Sequence, residues 1–80
     1  MKINSYCNTS KFIDDGWTPQ ITGYDAEDSE YIFEIDLTKG ALANWNDFKA
    51  EYPEAANRRE FFAEFSLAKE ETEYRRKTTR

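Results

Sequence analysis

Residues Tyr24 to Asp36 read Y-D-A-E-D-S-E-Y-I-F-E-I-D, and the second half of this stretch decides the fold. Tyr31, Phe33, Ile35 and Leu37 fall at alternate positions, with Glu30, Glu34 and Asp36 between them. That period of two puts the apolar set on one face of a β-strand and the acids on the other. The thirteen residues carry six carboxylates and neither Lys nor Arg. A strand held to a core by its apolar face would therefore show a row of negative charge on the other.

Upstream, residues 2–13 are rich in Ile, Tyr, Thr and Phe, and this composition predicts an extended segment. Asp14-Asp15-Gly16 follows, and Asp15-Gly16 supports a tight turn because both residues tolerate positive φ. Trp17–Tyr24 returns as a second strand. Pro19 has no N–H for a ladder, which makes that strand an edge or starts it after the proline. Gly23 weakens its far end. The acidic loop 25–29 then leads into the alternating strand over 30–37, and neighbouring strands in chain order are expected to pair antiparallel.

Downstream, the period changes at Thr38, an expected N-cap. Ala41, Leu42, Trp45, Phe48 and Tyr52 fall on one helical stripe, and Pro53 ends that helix near Tyr52. A second helix begins at Pro53 or Asn57, with Asn57-Arg58-Arg59-Glu60 reading as a capping box. Phe61, Phe65, Ala68 and Thr72 line its apolar stripe with Phe62 on the flank. Glu60, Glu64 and Glu71 line another. Glu71–Arg75 and Glu73–Lys77 are i,i+4 pairs of favourable orientation, and Arg75, Arg76 and Lys77 suit the helix dipole. The expected architecture is α+β: a small three-stranded antiparallel sheet packed on one face by two C-terminal helices. Tyr31, Phe33, Ile35 and Leu37 are expected to face Leu42, Trp45, Phe48, Phe61 and Phe65. The chain reads as a single domain, 1–80, with a β-rich acidic part (1–37), two helices (38–77) and a frayed tail (78–80), without repeats or linkers.

Eighty residues bury only roughly 60% of their unfolded surface. Six Phe, five Tyr and two Trp compensate, and predict a small aromatic core. The net charge of −5 is uneven. Residues 1–57 hold eleven acids and four bases, whereas residues 58–80 hold five acids and seven bases. An acidic body disfavours nucleic acid and favours basic protein surfaces. The single cysteine excludes an intrachain disulfide and suggests a reducing compartment. Residues 1–9 are polar, unlike a signal peptide, and no apolar run reaches membrane-spanning length. The expected location is cytoplasmic, with no membrane partner.

Histidine is absent, which removes Ser–His and Cys–His nucleophilic catalysis. Cys7 reads as a small buried apolar residue. Acid–base work by paired carboxylates would need a cleft that raises one pKa, and a chain of this size seldom makes one. The loop around Asp25, Glu27, Asp28 and Glu30 offers oxygen ligands but lacks an EF-hand pattern, and reads as a solvated loop. No catalytic residue, metal or cofactor is expected.

The expected function is therefore non-enzymatic protein binding. The carboxylates Asp25, Glu27, Asp28, Glu30, Glu34 and Asp36, with Tyr24 as an aromatic anchor, would dock on a basic surface of a larger protein. Carboxylates along a strand imitate phosphate spacing, so a nucleic-acid-handling protein is the most specific partner. In general character only, the chain resembles small acidic virus-encoded inhibitors of host nucleases and of restriction or CRISPR complexes, and no motif matches such a family residue by residue. A phage-type counter-defence role, anti-restriction or anti-CRISPR, is what that resemblance implies. A second reading is a structural or assembly subunit, or a homodimer, joined through Trp45, Tyr52 and Phe62. A third is weak nucleic-acid binding through Arg58, Lys69, Arg75, Arg76, Lys77 and Arg80 of the basic C-terminal helix.

Overall fold

The computed structural model describes residues 2–78 and is an α+β fold. Strands β1 (Ile3–Asn8), β4 (Gln20–Asp25) and β5 (Glu30–Glu34) form an antiparallel sheet in the order β1-β4-β5, with helices α1 (Ala41–Glu51) and α2 (Arg58–Thr78) following. Strands β2 (Lys11–Ile13) and β3 (Gly16–Thr18) form a separate two-stranded hairpin. The two long segments expected from the sequence are thus each broken once. The break falls where Pro19 lacks an N–H and the Gln20 N–H turns to the Ser10 hydroxyl, at 3.0 Å. The turn residues are Asp14 (φ 52°) and Asp15 (φ 66°), not Asp15-Gly16, and Gly16 instead pairs with Ile13 as the first residue of β3. Past the break the hairpin leans on α2, where the Trp17 indole N–H donates to Thr72 Oγ1 at 2.8 Å and the Arg75 guanidinium lies 4.7 Å from the Trp17 ring centre.

The core lies between one sheet face and the two helices. Phe48 of α1 and Phe61 of α2 are wholly buried beside Ile3, Ile21 and Tyr6, with Phe65, Ala68 and Thr72 continuing the α2 stripe as the sequence predicts. Tyr6 is the hub, meeting Phe61 and Phe48 edge-on at 5.6 and 5.8 Å. Its hydroxyl reaches the carbonyls of Ile3 and Ala56 at 2.9 and 2.5 Å, and burial pushes its pKa up to about 12. Gly23 makes this packing possible. A Cβ there would lie 2.7 Å from Ile3 Cγ2, 3.1 Å from Tyr6 and 3.3 Å from Phe48. The residue expected to weaken the strand is the one that lets the rings approach it.

Several helix expectations are corrected. Leu42 is 55% exposed and Asn44 wholly buried. The Asn44 amide accepts from Asp36 N–H at 2.9 Å and donates to the carbonyls of Asp36 and Gly40, at 3.0 and 2.9 Å, so satisfying the turn backbone turns α1 away from a purely apolar stripe. Gly40, not Thr38, is the N-cap, without a side-chain bond. The capping box at Asn57 does not form. Asn57 sits at φ 64° with its amide donating to the Asn4 carbonyl, while the Glu60 carboxylate leaves the helix for Tyr6 N–H. Arg75 and Glu71 pair at 3.7 Å, and among the described residues no ion pair joins Glu73 to Lys77. Of the expected frayed tail, Thr78 ends α2, and residues 79 and 80 lie outside the described residues. No described helix is long and apolar enough to cross a membrane.

Candidate functional site

The ladder geometry of β5 follows from one bond. Ile35 N–H donates to the Pro19 carbonyl at 3.0 Å, in the register that pairs Phe33 with Ile21 and Tyr31 with Gly23. In an antiparallel pair, residues facing the partner strand through hydrogen bonds alternate with residues whose N–H and C=O point away. Tyr31, Phe33 and Ile35 therefore turn their backbone groups to β4. Glu30, Ile32 and Glu34 turn theirs outward, where no backbone group among the described residues meets them. Their side chains are also the exposed ones of β5. Both the free edge and the open face of the strand are thus built from the same three residues.

The helices cover only the opposite face. On this face Glu30 lies across from Tyr24, Ile32 across from Thr22, and Glu34 across from Gln20, but Thr22 and Gln20 are buried, each bonded to the Thr9 hydroxyl, so the exposure belongs to β5. Ser5 and Cys7 of β1 complete the face, opposite Tyr24 and Thr22. Cys7 is exposed here, against the expectation that it is buried, because Tyr6 rather than its neighbour takes the inward position. Glu30 and Glu34, four residues apart, are separated by about 13 Å along the strand.

The seven residues singled out in the sequence do not form one surface. Tyr24, Glu30 and Glu34 share the open face, and Glu27 and Asp28 are exposed in the turn before β5. Asp25 is 8% exposed and belongs to the turn itself. Its carboxylate accepts from Tyr31 Oη at 2.8 Å and from the N–H groups of Glu27 and Ser29 at 2.9 and 3.1 Å. Those bonds, the tyrosine's first, hold its pKa below the ordinary aspartate value. Asp36 accepts in the same way from the Thr38 hydroxyl and N–H, at 2.5 and 2.9 Å, and is likewise lowered, chiefly by the hydroxyl. Asp25 is thus enclosed in its turn, whereas Asp36 stays exposed and commits only Oδ1.

Ile32 was missed in the sequence, although it interrupts the acidic face between Glu30 and Glu34. It is 55% exposed at the centre of that face. Beyond the end of β5 an open cleft of about 460 Å³ separates the hairpin from the following turn, lined by Trp17, Pro19, Glu34, Asp36, Leu37 and Arg76 among others. Among the described residues, no three Cys, Asp or Glu side chains converge as a metal-binding set.

Comparison of the chain with protein-family models, curated proteins and solved structures gives no match.

The two other candidate surfaces also change. Trp45 is 8% exposed and packs on Phe61 at 5.2 Å, which removes the central anchor of the expected aromatic dimer face and leaves Tyr52 and Phe62 half-buried. On α2, Arg75 is held over Trp17 and paired with Glu71, and Arg58 lies 5.6 Å from the Phe62 ring centre. Intramolecular partners thus occupy two of the bases proposed for nucleic acid.

Proposed function

We propose that the protein is a non-enzymatic binding module whose open sheet face, with Glu30 and Glu34 around Ile32 and with Tyr24, Glu27 and Asp28 beside it, docks on a basic surface of a larger protein. The observation that carries the proposal is the exposed row on β5, in which two carboxylates flank an apolar side chain that is 55% exposed. Charged rims speed and orient encounter, while aromatic and apolar anchors hold the complex. The partner of most specific fit is a nucleic-acid-handling protein inside the cell, because carboxylates about 13 Å apart on a strand match the axial span of about four nucleotide steps. Inhibition by occupying that basic surface is the corresponding action, of the kind phage counter-defence proteins exert on restriction or CRISPR complexes.

Catalysis has little support. The chain has no histidine, and the two carboxylates with shifted pKa are lowered, opposite to the direction a general acid at neutral pH requires.

The test is capture of partners from lysate on the tagged protein, eluted in steps of rising salt, beside a Glu30→Lys/Glu34→Lys variant. Asp36 is left alone because its substitution would break the turn. A basic partner held by the parent chain, released at moderate salt and absent from the variant, is the expected outcome. Equal capture by both chains would end the proposal.

A further inference from the structure

The sheet has two edges, and among the described residues only one is covered. Along the outer edge of β1, Tyr6 N–H donates to Glu60 Oε2 and Asn8 N–H to Glu64 Oε1, each at 2.7 Å, and Ile3 exchanges bonds with Glu54 and Ala56. Along the outer edge of β5, three N–H and three C=O groups, those of Glu30, Ile32 and Glu34, face outward unpaired by backbone. Natural edges are commonly blunted by proline, lysine, a bulge or a covering element. β5 contains no Pro or Lys, pairs with β4 in unbroken register and is covered by no element among the described residues, so its short length and the charges of Glu30 and Glu34 are its only guards.

We infer that β5 is a docking strand, to which a partner adds an extended segment carrying basic, apolar and basic side chains at alternate positions. This deepens the binding function proposed above and rests on it. An incoming antiparallel strand would form its hydrogen bonds with Glu30, Ile32 and Glu34, because those residues aim both backbone groups outward. The partner residues directly opposite would project on the same open face. Opposite-charge pairs there are favourable and like-charge pairs unfavourable. The complement of acid-apolar-acid is base-apolar-base, with Ile32 against the apolar residue.

The same rule argues against a second copy. A symmetric interface pairs a patch with itself, so two β5 strands meeting antiparallel around Ile32 would set Glu30 of one chain against Glu34 of the other, twice. Main-chain bonds would supply affinity and the two carboxylates the register and selectivity.

The probe is an acetylated, amidated peptide, Thr-Lys-Thr-Val-Thr-Lys-Thr, titrated into the full chain at low salt and followed by amide NMR. A control peptide carries N-methyl groups on both Lys and the Val, which removes the bonding N–H groups and keeps the charge. The amides of Glu30, Ile32 and Glu34 are expected to exchange quickly with water in the free protein. They should slow on adding the first peptide, while those of Tyr31 and Phe33 are slow throughout. The methylated peptide should bind about tenfold or more weakly. Ile32→Pro removes an outward N–H without touching the β4 ladder or any carboxylate, and should cause a similar loss. Because the methylated peptide leaves the protein unaltered, the outcome stands even if that variant fails to fold.

Equal, salt-sensitive binding of both peptides with the three amides still exposed would overturn strand addition and leave the acidic-face reading intact. Protection of the same amides by concentration-dependent self-association would overturn the choice of occupant. No binding of either peptide would overturn the docking strand, and the charge-reversal capture experiment would then judge the acidic face on its own.

Discussion

The two edges of the sheet begin with the same problem and end differently. A strand edge exposes backbone groups that need partners. At β1 the carboxylates of Glu60 and Glu64 reach across from α2 to accept the outward N–H groups, and the 54–56 segment bridges Ile3. At β5 the outward groups meet no described backbone, and the acids beside them, Glu30 and Glu34, point to the open face. Glutamate thus sits in two settings: at one edge it accepts backbone hydrogen bonds, and at the other it is exposed to solvent. One edge is closed by the fold, and the other is exposed surface.

The largest way to break this contrast is through the ring that ties the sealed side together. Phe61→Ala should cost about 3–5 kcal/mol in urea unfolding, and Phe33→Ala on β5 should cost less because that ring is only half-buried. Equal losses would mean that the β5 side is as deeply built into the core as the β1 side. Next is Gly23→Ala, which forces a Cβ against Ile3, Tyr6 and Phe48 and should cost about 1–3 kcal/mol by thermal or chemical unfolding.

Smaller is the removal of the seal itself. Glu60→Ala and Glu64→Ala should each cost about 1 kcal/mol, with faster hydrogen exchange at the Tyr6 and Asn8 amides and none of that acceleration on β5. Titration probes both sides without mutation. The raised Tyr6 pKa, about 12 against an ordinary 10.0, means that its contribution is complete below the ordinary value and is lost as pH rises through the folded one. Asp25 and Asp36 are lowered from 3.8, so their contribution is complete above that value and is lost as pH falls through their folded values. Stability should therefore fall on the alkaline side with the Tyr6 hub and with Tyr31, whose bond to Asp25 raises it, and on the acid side with the turns flanking β5 alone. An acid limb unchanged by Asp25→Asn would contradict that assignment. The smallest effect on folding is expected of Glu30→Lys/Glu34→Lys, within about 0.5 kcal/mol of the parent, with partner capture lost.

Much of the fold was legible because its signals are local. The alternation through Tyr31, Phe33 and Ile35, the stop at Pro53 and the α2 stripe of Phe61, Phe65, Ala68 and Thr72 each follow from periodicity or backbone sterics within a few residues. They gave the antiparallel sheet, the helix order and the aromatic core. The site was half legible. Parity along the strand placed Glu30 and Glu34 on the exposed side of β5, but the same reading passed over Ile32 and counted the buried Asp25 as a free acid. Whether a carboxylate is available depends on which hydroxyl or N–H folds back onto it, and Tyr31 is brought to Asp25 by turn geometry.

The sequence by itself determined the composition of the faces, since side-chain alternation and helical period are properties of the chain alone. Only the tertiary structure decided which residues are used up in holding it together. Tyr6 became a hub because Gly23 leaves room for its ring and for Phe48 of α1. Glu60 left its expected cap because an unpaired N–H on β1 came within reach. The edge of β5 stayed open because both helices follow it and pack across the opposite face, leaving its outward backbone groups beyond their reach.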